Sequence, residues 1–385
     1  MSDLTHLQQI RQELPAVQIQ HYLNTGTFGP LPTIAIRTMQ ERLQRELELG
    51  RLGAQSFAGM AEIYNGTRQK VARFLHASEE EITLTDNTGE GLNIVSYGLN
   101  WREGDEVITT NHEHISALAP LYQLRDRYGI VIRKADLGPQ ADWPVVEALQ
   151  ALVTPRTRLI SISHVTWTTG AVIDIQAVAQ FAHEHGVLVL IDGAQSAGAI
   201  ALDVKKLGVD FYALPMQKWL CGPDGTGALY VSDAALHKVH ATYVGYWSIK
   251  HEEGIEWALH ERAQRFELGG RQTAALSGQS AVLSWLEDFV GYTWMFERIS
   301  QLNSYAYQVL KQVPGLTLLT PQAGASGILA FTLEGKDEKE VVKTLSEQHT
   351  IQIRSIPETH ALRVSTGFYN TEEEIDLLAQ ALQKM

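Results

Sequence analysis

The chain has 385 residues, of which 44% are hydrophobic and 19% charged, the proportions of an ordinary globular enzyme. A formal net charge of −13 argues against a nucleic-acid partner, because a phosphate backbone is bound through clustered Lys and Arg. The single cysteine, Cys221, excludes an internal disulfide, and no run approaches the roughly 18 apolar residues that a membrane span requires. The opening stretch MSDLTHLQQIRQEL lacks the apolar core of a signal peptide, so a cytoplasmic protein with no membrane contact is expected.

Apolar residues at helical spacing predict helices over Ile34 to Leu49 and Phe57 to Leu75, followed by a strand at Glu81 to Thr85. Strand and helix signals then alternate. Strands are predicted at Glu106 to Thr110, Ile130 to Arg133, Arg158 to Ser163, Val187 to Ile191 and Val209 to Leu214. Helices are predicted between them at Ile115 to Arg127, Val145 to Val153 and Ile175 to His185. This alternation implies parallel strands joined by crossover helices. The run Val187-Leu188-Val189-Leu190-Ile191 is apolar on both faces, as a central parallel strand should be. Two long helices follow, from about Thr273 to Phe289 and Trp294 to Val313. The chain closes with strands near Gly327 to Thr332, Thr350 to Arg354 and Ala361 to Ser365, and helices near Lys339 to Gln348 and Glu372 to Gln383. The last helix opens on a capping-box spacing, Thr371 to Glu374. The expected fold class is α/β: a large domain at 18–275 with a mixed, mainly parallel sheet flanked by helices, and a smaller α+β domain at 276–385, joined by the segment 1–17.

The chemistry concentrates in Leu188 to Tyr230. Ile191-Asp192-Gly193-Ala194-Gln195-Ser196 ends an apolar strand, where open α/β sheets bind ligands. A carboxylate there is costly unless a cation pairs with it, and a protonated pyridine nitrogen is such a cation. Lys218 follows in Gln217-Lys218-Trp219-Leu220-Cys221-Gly222-Pro223, where partial desolvation lowers an amine's pKa and equips it to attack an aldehyde. A turn and a surface lysine account for either residue alone; the pair in this order on these elements is more specific. Asn87-Thr88-Gly89-Glu90, between a strand and an amphipathic helix, offers a helix N-terminus to a phosphate, although by itself it reads as an ordinary N-cap.

Together these segments resemble the class V aminotransferase family of fold-type I pyridoxal phosphate (PLP) enzymes, which includes cysteine desulfurases, isopenicillin N epimerase-like proteins and cyanobacterial cystine C–S lyases. The resemblance runs from Tyr22-Leu23-Asn24 to Leu362-Arg363-Val364-Ser365 and Tyr369-Asn370-Thr371. It implies that Lys218 holds the cofactor as a Schiff base, that Asp192 faces the ring nitrogen, that Gln195 meets the phenolate oxygen, and that His114 stacks on the ring. It assigns the phosphate to Thr88 and Gly89 and the substrate carboxylate to Arg363, with Arg354 as assistant and Thr168 and Asn24 beside the substrate. It also implies a homodimer whose sites are completed by the partner subunit; no metal is expected. His112 is expected to be structural.

Three departures matter. The family's Ser/Thr-Gly-His before the lysine is Pro215-Met216-Gln217 here, leaving Gln217 as the remaining cofactor contact. Gly270 stands where the partner's threonine is usual, and Arg271 is the expected substitute for it at the phosphate. The stretch RSIPETHALR, from Arg354 to Arg363, is short and lacks the loop cysteine that persulfide-forming desulfurases need. Val165-Thr166-Trp167-Thr168-Thr169-Gly170 and Thr242-Tyr243-Val244-Gly245 are most similar to the C–S lyases, which carry Asn where Thr168 stands. The expected reaction is therefore β-elimination from L-cystine or L-cysteine to pyruvate, ammonia and a persulfide or sulfide. The alternatives are an aminotransferase or epimerase acting on another amino acid, then a desulfurase, then a non-catalytic PLP-binding protein.

Overall fold

The computed structural model describes residues 3–385. Its strands, in chain order, are β1 (His21–Tyr22), β2 (Ile82–Thr85), β3 (Glu106–Thr110), β4 (Val131–Ala135), β5 (Thr157–Ser163), β6 (Leu188–Asp192), β7 (Phe211–Pro215), β8 (Gly227–Val231), β9 (Ile249–Glu253), β10 (Glu256–Leu259), β11 (Leu316–Leu318), β12 (Ile328–Leu333), β13 (Ile351–Gln352), β14 (Arg354–Ile356) and β15 (Ala361–Ser365). Seven of them form the main sheet, in the order β2-β8-β7-β6-β5-β3-β4. The neighbours from β4 to β7 run parallel, and β8 runs antiparallel to both β7 and β2. The sheet is mixed and mostly parallel, with helices on its faces.

The predicted strand ends agree with the observed ones to within two residues across this sheet. β8 was not predicted: the Gly225-Thr226-Gly227 entry weakens its strand signal, and an antiparallel return needs no crossover helix to announce it. In β6, four of five residues are buried, so both faces of the strand are covered. Each fully buried Val, Leu or Ile side chain contributes about 1.5–3 kcal/mol.

The C-terminal sheet is antiparallel, in the order β11-β12-β15-β14. It carries its own core of Leu329, Phe331, Leu362, Val364, Leu378 and Leu382. The single strand expected at Thr350 to Arg354 is two. β13 pairs in parallel with β1, while β14 pairs with β15, so the chain changes partners at Ile353. Sequence pattern registers the apolar run but not the exchange of partner.

The helix expected to reach Phe289 ends at Ser284 and continues as a π-helical turn over Trp285–Val290, closed by Gly291. The wider turn keeps Trp285, Leu286 and Val290 buried together. The hairpin β9–β10 is mostly exposed and its two strands are short, five and four residues, so no sustained apolar alternation marks it.

Candidate active site

Four parallel strands and β2 end on one side of the main sheet, and the loops leaving them meet in one cavity of about 230 Å³. The loop after β2 contributes Asn87, Thr88 and Gly89; that after β3, His114; the end of β5, Ser163; β6, Asp192 with Ala194 and Gln195; and β7, Pro215 with Gln217 and Lys218. Arg354 and Arg363 close it from the C-terminal sheet.

The β2 loop feeds the helix Thr88–Gly98. Asn87 caps it by accepting from the backbone N–H of Glu90 at 3.0 Å, leaving the N–H groups of Thr88 and Gly89 without a helical partner. Gly91 brings this helix close to the sheet: a Cβ there would lie 2.9 Å from the Cβ of Ala213. The helix end, carrying about half a positive charge, is thus aimed along the cavity wall.

Asp192 is 5% exposed. One of its oxygens accepts from the Ala194 N–H at 2.8 Å, and the other makes no described hydrogen bond. Burial raises its pKa, and the Lys218 charge opposes that rise. Lys218 follows β7. Burial brings its amine down to about 8, with Asp192 pulling the other way, so a minority of it, far more than of an ordinary lysine, is neutral near physiological pH. Gln195 donates to the Gly26 carbonyl at 2.9 Å and accepts from the Trp219 indole at 3.0 Å, which fixes its amide and leaves one N–H to give. Gly26 is required beside it, since a Cβ would come within 2.8 Å of Gln195 Oε1. His114 caps the helix Ile115–Tyr128 through Nδ1, packs edge-on to Trp167 at 5.2 Å, and is held towards its neutral form by burial and then by Lys218.

Arg363 is fully buried in the middle of β15. It donates to the Trp167 carbonyl at 3.0 Å and to Thr27 Oγ1 at 3.3 Å, while its Nε has no partner. Among the described residues no acid forms an ion pair with it. Burial, then the neighbouring Arg354, lowers its pKa to about 9. Arg354 sits directly opposite Arg363 in the β14–β15 register and lies over the Trp167 ring at 5.5 Å. Like charges facing across a ladder are destabilising, so this pair calls for an anion.

Three expected residues stand off the cavity lining. Arg271 is bound by Asp86 and by Glu90, the latter at 2.6 Å, because two carboxylates flank the helix end and capture the nearest guanidinium. Within this chain its guanidinium points to those carboxylates and does not line the cavity. Asn24 accepts from Thr27 Oγ1 at 2.8 Å and so reaches Arg363 only through that hydroxyl. Thr168 is buried and bonded to His112 Nδ1 at 2.8 Å. His112 also engages the Gly138 carbonyl at 2.6 Å, a structural bridge.

Sequence reasoning missed Trp167, Ser163 and Thr27 as members of this site. Trp167 lay in a quoted motif, and Ser163 ends a parallel strand as Asp192 does, so the strand-end rule that singled out Asp192 would have found it. Thr27 gave no signal.

The Gln217 side chain, whose amide N–H2 can donate to a phosphate, makes no described hydrogen bond, only one oxygen of Asp192 has a described partner, and Arg363 lacks an anion. Together with an amine and a helix end, this set fits a ligand bearing an aldehyde, a ring nitrogen and a phosphate, next to a carboxylate.

A model of the aminotransferase class-V family matches residues 21–378. A probable cysteine desulfurase of Methanothermobacter thermautotrophicus is 31% identical, over 98% of this chain and 97% of the relative. The cysteine desulfurase CsdA of Escherichia coli is 30% identical, over 98% and 96%. Among solved structures, the cystine C–S lyase C-DES in complex with its reaction product cysteine persulfide superposes with a TM-score of 0.92 at 30% identity, covering 96% of this chain and 99% of that one.

Proposed function

The chain belongs to the class-V aminotransferase family, and from that premise we propose that it is a PLP-dependent C–S lyase that splits L-cystine or L-cysteine into pyruvate, ammonia and a persulfide or sulfide. When bound, PLP supplies an electron sink for the charge left as the substrate Cα–H bond breaks. The N–H groups of Thr88 and Gly89, the Thr88 hydroxyl and the Gln217 amide hold the phosphate. Asp192 would keep the ring nitrogen protonated, Gln195 would donate to the phenolate oxygen, and His114 would stack on the ring.

Lys218 would anchor the aldehyde, and its neutral amine, once free, would be the base that takes the substrate's α-proton. Arg363, assisted by Arg354, grips the substrate carboxylate in a fixed orientation, so that the Cα–H bond faces Lys218. The sulfur leaves from the β-carbon with its bonding electrons, and the released unsaturated amine hydrolyses to pyruvate and ammonia.

The observation that carries the lyase reading over a desulfurase is the state of Cys221. It is fully buried, its backbone sits at a φ of +52°, and Gly29 packs against it. Burial pushes its thiol well above the ordinary range, so it presents no thiolate to receive sulfur.

We also propose a cytoplasmic homodimer. Leu47, Leu52, Phe57, Tyr243, Ile255 and Trp257 are large and exposed hydrophobic side chains that a second copy would cover. No helix among the described residues is long and apolar enough to cross a membrane.

The test is product analysis of the PLP-loaded protein with cystine, cysteine or alanine. Pyruvate formed from cystine or cysteine without an added keto acid supports the proposal. Alanine with protein-bound persulfide, or turnover that requires a keto acid, overturns it.

A further inference from the structure

A second buried acid stands behind the cavity wall, and the chemistry above leaves it unused. Glu113, just before the helix Ile115–Tyr128, is 7% exposed. Its Oε1 accepts from Thr110 Oγ1 at 2.6 Å and its Oε2 meets Ser163 Oγ at 2.6 Å. Ser163 both lines the cavity and stands opposite Asp192 in the β5–β6 register. Two acids in one wall of low dielectric cannot both ionise without a large penalty. Asp192 has the Lys218 charge to offset its own, whereas Glu113 meets two hydroxyls and the Ser163 backbone N–H and, among the described residues, forms no ion pair with a cation.

We propose that Glu113 is a positioning residue that works as a neutral carboxylic acid: it donates its proton to Ser163 Oγ, turns the Ser163 hydroxyl hydrogen into the cavity, and leaves Asp192 as the sole anion beneath the cofactor's ring nitrogen. The hydrogen-bond pattern orders this chain. Thr110 Oγ1 donates its hydrogen to Oε1 and accepts the His112 N–H at 3.1 Å, which leaves Oε2, the oxygen facing Ser163, to carry the acid proton. Were Glu113 ionised, Ser163 would donate to it and show the cavity only lone pairs. Burial, together with Asp192, raises the Glu113 carboxyl to about 7, so the arrangement reverses as pH climbs past neutrality.

Of the other titratable groups of this wall, burial holds His114 and His164 towards their neutral forms, and the charge of Lys218 acts on Asp192.

The placing of the ring nitrogen rests on the PLP reading; the protonation of Glu113 does not. The infrared spectrum of the holoenzyme and of its apo form at pH 6.5 should contain a protonated carboxylic-acid band that is absent from E113Q and displaced in S163A. E113Q, a neutral isostere, should keep its PLP dissociation constant within about threefold of wild type. It should also lose the pH-dependent shift near neutrality in the absorption of the lysine-bound cofactor. Absence of the band from the wild type, its persistence in E113Q, or an unchanged cofactor titration in E113Q would overturn the proposal. A protein that binds no PLP yet shows the band would instead refute the cofactor reading alone.

Discussion

At the scale of single residues, function rests on groups whose charge is poorly compensated within the protein itself. A lysine in water titrates about 2.5 units above the value that burial gives Lys218. Its reaction with PLP in the apoprotein should therefore accelerate from pH 6 upwards, reach half its limit near pH 8 and level off above about 9, because only the neutral amine attacks. Stopped-flow absorbance at the Schiff-base band checks this, and a rise that continues towards pH 10 would contradict it. Lys218→Ala should reduce pyruvate formation about 10³-fold or more, since it removes both the anchor and the base.

Arg363 is a buried cation awaiting an anion. Arg363→Ala should raise KM for cystine about 10²-fold, through loss of charge-assisted hydrogen bonds worth about 1.5–3 kcal/mol each. Arg363→Lys should rescue little of this, because an ammonium lacks the planar fork. Steady-state kinetics of the pair distinguish this from mere misfolding.

Asp192 and Lys218 were legible in the sequence because a strand-end acid and a loop lysine are local features. The occupation of Arg271 by Asp86 and Glu90 was not, since it joins residues about 180 positions apart. Thr27 was invisible for the same reason: its importance is its contact with Arg363.

At the scale of elements, the site depends on how closely helices and loops approach the sheets. Gly170 ends the loop after β5 at a φ of +76°, and a Cβ there would stand 2.7 Å from the backbone oxygen of Ile328 on β12. Gly170→Ala should destabilise the protein by about 2–3 kcal/mol, and thermal unfolding should show a lower Tm. An unchanged Tm would mean that the two sheets do not press together at this point.

Apolar runs and crossover alternation made the parallel strands legible to within two residues. Elements whose stability comes from a distant partner were not: β1 and β13 are two residues each and exist by pairing with one another. The π-helical turn at Trp285–Val290 was hidden because an ordinary helical period fits its residues nearly as well.

At the scale of the molecule, the two ends of the chain are tied together. Arg11 reaches Glu374 at 3.2 Å and donates to the Tyr369 carbonyl at 2.7 Å, while Glu374 also caps its own helix and accepts from Asn370 at 2.8 Å. Glu374→Ala should cost about 3 kcal/mol, by stripping a largely buried guanidinium of its partner. Denaturant titration measures this, and hydrogen exchange should show loosening of both ends together.

The proposed dimer predicts sedimentation at twice the 42.8 kDa of one chain. Charge placed on the apolar surface, as in Trp257→Glu, should shift it towards monomer. Fold class was legible at this scale because alternation is a property of the whole sequence, whereas subunit assembly leaves only a scatter of exposed apolar residues.

The central claim is that one amine, that of Lys218, holds the cofactor by a covalent bond. Borohydride reduction of the PLP-loaded protein, followed by digestion and mass spectrometry, tests it most directly. A single phosphopyridoxyl group is expected on Lys218 and none in Lys218→Ala; an unlabelled protein, or a label fixed on another lysine, would refute the assignment.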